Sequence, residues 1–364
     1  MKKKLVPLLA GLVAAVGVAG AGIAWAQSKK VNVYNWSDYI GPTTLADFTK
    51  ATGIQTKYDV YTDLETLEAK LLTGNSGYDV VVPSAQPTLR KFIQAKAVQK
   101  LDKSKIPNLK NLDPTLMARL AEVDPGNDYG VIYEWGTVGI GYNVDKVKAA
   151  LGTDKIDSWK VVFDPESAKK LASCGIVILD SPADVLPSVL NYLGLPPSSE
   201  KSEDVKKAGE LMAAIRPYIK TFVPSVIDPL ASGDACVAIG YSGDVLQAQG
   251  RSGGKAKIDY AIPKEGAQLW FDTMAIPAGA PDVAEAHAYI NYMLEPKVMA
   301  DISNTVSYAN AVPAALPMVK AEIRNDPRIY PPKEVMEKLF TIKQLAQRAE
   351  QERNRTWTRI KTGR

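Results

Sequence analysis

VNVYNWSDYI, residues 31–40, is the stretch from which the fold can be read. Val31, Val33 and Asn35 alternate with Asn32, Tyr34 and Trp36, the period of a strand, and the run enters a polar turn at Trp36-Ser37-Asp38-Tyr39. In open α/β sheets, ligands bind in the crevice beyond the carboxyl ends of the strands. This turn offers such a crevice an indole, a hydroxyl, a carboxylate and a phenol, a set suited to a small organic cation. The same residues also have a structural use, with Ser37 or Asp38 capping the next turn and Trp36 filling core.

The following residues repeat the alternation. A helix opens at Pro42-Thr43-Thr44-Leu45 and ends at Gly53, with Thr44 and Asp47 spaced as a capping box. Gln55 to Tyr61 reads as a strand, and Leu64, Leu67 and Leu71 give the helix from Asp63 to Leu72 its apolar face. Tyr78 to Val82 is a nearly continuous apolar strand of the buried parallel kind. This β-α-β-α-β unit ends in Pro83-Ser84, so the Ser84 hydroxyl either shares the carboxyl edge with Trp36 and Asp38 or caps a helix beginning near Pro87.

Beyond a loop-rich stretch at 101–127, Gly136 to Asn143 reads as a strand studded with glycine. Its spacing is not that of a dinucleotide fingerprint, and the glycines suggest close backbone approach or a crossing between lobes. A second alternation follows: strand 175–179, helices 185–193 and 205–215, strand 235–241, strand 257–263 and strand 269–276. Asp180, Asp184 and Asp244 stand at strand-to-helix turns, where an acid favours the helix dipole. Asp272 lies between aromatics in an apolar strand, which makes it either a buried ion-pair partner or a ligand carboxylate. His287 is expected on the surface of a helix running from Val283 to Leu294.

Residues 1–26 carry Lys2-Lys3-Lys4, an apolar run and Ala24-Trp25-Ala26, the pattern of a cleaved signal peptide and of export to a bacterial periplasm. No cysteine follows the cleavage point, so there is no lipoprotein signal and no membrane insertion is expected after cleavage. Loss of three lysines takes the formal charge from +4 to +1. With no later block of like charge, nucleic acid and anionic membrane surfaces are excluded as partners. The remaining 338 residues suit two α/β lobes. The two cysteines, Cys174 and Cys236, are expected to pair in an oxidising compartment. Together with one histidine they form no metal-ligand spacing, so neither metal nor cofactor is expected.

Nine segments in order then resemble the periplasmic polyamine-binding proteins of ABC importers, especially the putrescine-binding branch: YNWSDYI (34–40), GYDVVVPS (77–84), GIGYNVDKVK (139–148), LDS with VLNYLG (179–194), CVAIGYSGDV (236–245), IPKEGAQLWFD (262–272), YANA (308–311), YPP (330–332) and TWTRIKTG (356–363). The resemblance implies a two-lobed type II periplasmic binding protein fold, each lobe a mostly parallel sheet flanked by helices, with the ligand between them. Approximate lobes are 27–138 plus 276–317 and 139–275 plus 318–364. It further implies a monomer that delivers its amine to a membrane permease. The residues matching the family's cleft are Trp36, Ser37, Asp38, Ser84, Asp184, Tyr241, Asp244, Trp270, Asp272 and Tyr308, with Tyr39 close by. Asp244 and Asp272 are the candidates for one ammonium, Asp38 and Asp184 for the other. The chain departs from the family at Asp184, where relatives carry Glu, at Tyr241, where some carry Trp, and at Gln86-Pro87-Thr88, which lacks an aromatic.

The competing classes are weaker. No G-x-S-x-G elbow is present, and one histidine on a helix offers no nucleophile an activating base. A hydrolase using Asp244 and Asp272 as a carboxylate pair is the remaining enzymatic alternative. A binding protein that reports to a membrane sensor is the other alternative, since transport and sensing would read the same closed lobes.

Overall fold

The computed structural model describes residues 29–363; the expected signal peptide lies outside them. Ten strands form one continuous sheet among the described residues: β1 (Lys30–Trp36), β2 (Gln55–Tyr61), β3 (Val80–Val81), β4 (Gly130–Asn143), β5 (Ile176–Leu179), β6 (Ile219–Val223), β7 (Val237–Tyr241), β8 (Ile258–Ala261), β9 (Gln268–Ala275) and β10 (Ala309–Asn310). The path runs β2-β1-β3-β9-β4-β7-β5-β6, with β10 and β8 also paired to β4. At one end β1 pairs in parallel with β2 and β3, and at the other β5 pairs in parallel with β6 and β7. The antiparallel strands β4 and β9 join these two parallel halves. The result is a two-lobed α/β architecture with helices packed on each half.

All 14 residues of β4 are buried, because the strand is paired along both edges. One edge meets β9 and then β8; the other meets β10 at Glu134 and Trp135 and then β7 from Val138 onward. The glycines permit this crowding. A Cβ at Gly136 would stand 2.6 Å from Cζ2 of Trp270 and 3.1 Å from the Tyr308 ring, so only a bare backbone lets both aromatics lie against the strand here.

Several expectations need correction. The strand read from Gly136 begins at Gly130, and β6 and two short helices at Lys160–Phe163 and Pro165–Leu171 had no sequence reading. The strand at 78–82 makes regular pairs only at Val80–Val81, because the Asp79 carboxylate accepts from the backbone and side chain of Asn32, both on Oδ2, and from the Asp282 N–H on Oδ1. The capping box does not form: the N-cap is Thr43, and no side chain bonds the helix start. His287 is buried, its Nε2 accepting from the Asp102 backbone N–H at 2.9 Å and its Nδ1 donating to the Val283 carbonyl at 2.7 Å. That tautomer ties the helix Val283–Met293 to the loop after Leu101. Cys174 and Cys236 form the expected disulfide, with Cα atoms 5.4 Å apart beside the start of β7.

Candidate functional site

The parallel strands deliver their turns to one crevice. The turn after β1, the Ser84 segment after β3, the helix starts after β5 and β7, the aromatic strand β9 and Tyr308 before β10 enclose a cavity of about 140 Å³. All eleven residues picked from sequence line it: Trp36, Ser37, Asp38, Tyr39, Ser84, Asp184, Tyr241, Asp244, Trp270, Asp272 and Tyr308. Among the described residues lining it, four are aspartates and none is Lys, Arg or His. The cavity continues into an outer compartment of about 540 Å³ that shares Trp36, Leu64, Pro87, Asp184 and Tyr241 with it.

Asp272 is the least exposed of the four acids, with Asp184 nearly as buried. Ser84 donates its hydroxyl to Asp272 Oδ1 at 2.6 Å and pairs with Asp272 as an isolated antiparallel bridge. The choice between cap and cleft at Ser84 is thereby decided, since its side chain makes no helix cap. Burial pushes the Asp272 carboxyl up to about 7, the Ser84 hydrogen bond opposing it. Asp272 meets no cationic side chain among the described residues, so it is not a buried ion-pair partner.

Asp244 sits in the first turn of the helix Ser242–Arg251, where Tyr308 donates its phenol to Oδ1 at 2.8 Å and Ser225 reaches Oδ2 at 3.3 Å. The Tyr308 oxygen also accepts the Asp244 backbone N–H at 3.1 Å. Burial raises the Asp244 carboxyl to about 6 against these donors. Gly243 permits the approach, because a Cβ there would clash with Cζ of Tyr308.

Two aspartates behave differently from the sequence reading. Asp184 is held by its own lobe: Ser181 and Tyr241 donate to Oδ2 at 2.6 and 2.7 Å, and Gln268 donates to Oδ1 at 2.7 Å. Burial raises its carboxyl, and those three donors hold it down. Its carboxylate thus lines the cavity with three donors from the protein already bound. Asp38, at a positive φ of 54°, is half exposed and pairs with Arg251 at 3.1 Å across the crevice. Arg251 also approaches Asp228 at 3.6 Å. Asp38 is therefore an inter-lobe contact at the rim.

The aromatic walls meet edge to face: Trp270 packs on Tyr241 and Tyr308 with ring centroids 5.8 and 5.1 Å apart, and Tyr39 packs on Tyr308 at 5.5 Å. Tyr61, whose phenol donates to the Val82 carbonyl at 2.5 Å, supports Trp36. Sequence reasoning missed Tyr61, Gln86, Ser225, Gln247 and Gln268. The partners of Tyr61, Ser225, Gln247 and Gln268 are distant in sequence, and Gln86 stands out in the sequence only where relatives carry an aromatic.

Against known proteins, residues 43–331 match the family of bacterial extracellular solute-binding proteins. The chain is 50% identical to the putrescine-binding periplasmic protein SpuD of Pseudomonas aeruginosa over all of both chains. It is 48% identical to the putrescine-binding periplasmic protein PotF of Escherichia coli, covering all of this chain and 98% of that one. A solved structure of a spermidine/putrescine ABC transporter protein from Listeria monocytogenes superposes with a TM-score of 0.83 at 31% identity, covering 93% of this chain and 100% of that one. A family match across most of the chain, full-length relatives and a shared two-lobed fold agree: the chain belongs to the bacterial extracellular solute-binding protein family.

Proposed function

We propose that the protein is a periplasmic binding protein that captures a polyamine, putrescine foremost, and hands it as a monomer to the permease of an ABC importer. The observation that carries the reading is the charge of the cavity. Asp184 and Asp272 are buried and Asp244 is partly buried against aromatic walls, and none of the three forms an ion pair among the described residues, so the site offers carboxylates that a cation offsets. A diammonium chain supplies a charge at each end and methylenes for Trp36, Tyr241 and Trp270, with cation-π contact adding about 0.5–2 kcal/mol. We assign the walls to 27–138 plus 276–317 and 139–275 plus 318–364, with β4 and β9 as the crossings. The full-length relatives named above are binding proteins, which supports binding over hydrolysis.

Calorimetry with putrescine, cadaverine, agmatine and spermidine, and glutamine as the neutral control, tests this. Amines are expected to bind orders of magnitude more tightly than glutamine, with discrimination among the four of about 1–3 kcal/mol. Heat with no amine would overturn the cation reading. Asp272→Asn should weaken putrescine binding by about 2–5 kcal/mol and leave the unliganded melting temperature nearly unchanged. A variant that unfolds without ligand but keeps its affinity would make Asp272 structural instead.

A further inference from the structure

We propose that Gln86 is a specificity-determining residue of the cleft, its side-chain carbonyl accepting an N–H from the amine or guanidine end of the ligand seated beside Asp272. The inference rests on the cation reading above and names how one end of that cation is recognised. Gln86 lines the cavity, and its Oε1 is buried without a hydrogen-bond partner. It lies two residues beyond Ser84, which is bridged to Asp272 through both backbone and side chain. Ala85 between them is buried in the core, so Ser84, Gln86 and Pro87 are the members of this segment that meet the cavity, and of these Ser84 and Gln86 carry polar side chains.

Counting acceptors shows what Gln86 adds. A primary ammonium carries three N–H groups and a guanidinium end more, each needing an acceptor once water is excluded. At Asp272, Oδ1 is already taken by Ser84. Asp184 is committed to Ser181, Tyr241 and Gln268. The Gln86 carbonyl is a buried acceptor with no donor of its own, and it is neutral, so it completes the shell without crowding another negative charge against Asp272. An orphaned buried carbonyl is a burden on the unliganded fold that a ligand N–H removes. Gln86 thus favours ligand ends rich in N–H.

The test is a pair of substitutions, one that removes the acceptor and one that keeps it and adds a charge. Gln86→Met keeps the length and removes the oxygen; Gln86→Glu keeps an acceptor. By calorimetry, Gln86→Met is expected to lose about tenfold in affinity for putrescine and agmatine, and Gln86→Glu to bind no more than about threefold more weakly than wild type. The unliganded melting temperature of Gln86→Met should be equal to or above wild type, since an orphaned polar atom has been removed. Wild-type affinity in Gln86→Met, or equal losses in both variants, would overturn the role of Gln86 while leaving the cation reading intact. Failure of the wild type to bind any amine would instead overturn the cation reading, and this inference with it.

Discussion

Asp244 and Asp272 make amine binding a proton-linked event. Burial raises the two carboxyls to about 6 and about 7, so in the closed, unliganded cavity the neutral forms are favoured at low pH. The sign follows: these groups stabilise the unliganded closed state below ordinary carboxylate pKa values, and that contribution is lost as pH rises through 6 and 7. A bound ammonium favours the ionised forms instead. Affinity should therefore be greatest at about pH 8 and fall below about 7, approaching tenfold per pH unit for each proton that must be released. Calorimetry at pH 6.5 in buffers of different ionisation enthalpy should show proton release on binding; affinity that is flat from pH 8 to 5 would refute the linkage. At this scale the sequence was informative about membership and silent about partners. Every residue picked from it lines the cavity, because aspartates and aromatics at strand ends are costly to place elsewhere. The partners of Asp38 and Asp184, Arg251 and Gln268, are not legible in the sequence because they are far along the chain and only the folded sheet brings them near.

Among the elements, the helix Ser242–Arg251 holds the two sides of the crevice together. Asp244 meets Tyr308, Gln247 donates to the Val306 carbonyl at 3.4 Å, and Arg251 meets Asp38, three contacts spaced along one helix. The rim pair is half exposed and is worth about 0–1 kcal/mol, so the approach of Tyr308 to Gly243 matters more. Gly243→Ala puts a methyl where the Tyr308 ring lies and separates Tyr308 from Asp244. Alanine favours the helix by about 1 kcal/mol over glycine, but displacing the buried Tyr308 ring costs about 1–3 kcal/mol, so the unliganded melting temperature should fall only modestly while putrescine affinity falls at least tenfold. Unchanged affinity in calorimetry would show that Tyr308 is not needed against this helix. The β-α-β-α-β start was legible because each element carries its own period and stop signal. β6 was not: its exposed Lys220 and Thr221 break the apolar pattern, and pairing with β5 alone makes it an edge strand. The first half of β4 was hidden by Glu134, a fully buried carboxyl that reads as a loop residue and that burial raises well above the ordinary carboxylate range.

The whole molecule is two parallel half-sheets joined through β4 and β9, and the candidate site is divided between them. Trp36, Asp38 and Tyr308 come from one side, Asp184, Tyr241 and Asp244 from the other. Closure places Asp184, Asp244 and Asp272 around one small cavity, where like charges repel more strongly at the lower effective dielectric than in water. A cation between them reverses the sign of that energy, so ligand and closure are coupled through charge, not only through contact area. The disulfide Cys174–Cys236 lies within one side and should leave this motion untouched. Small-angle scattering at pH 8 should therefore show a smaller radius of gyration with saturating putrescine than without. The same change should persist after replacement of both cysteines by serine, despite a stability loss of about 4 kcal/mol from the released 62-residue loop. At pH 5, where Asp244 and Asp272 are neutral in the closed cavity, the unliganded protein should already be more compact than at pH 8, because most of the repulsion that holds the lobes apart is relieved. A radius indifferent to putrescine would break the coupling of ligand to closure. Compaction by putrescine at pH 8 with no effect of pH on the unliganded protein would show that contacts, and not charge, drive the lobes together.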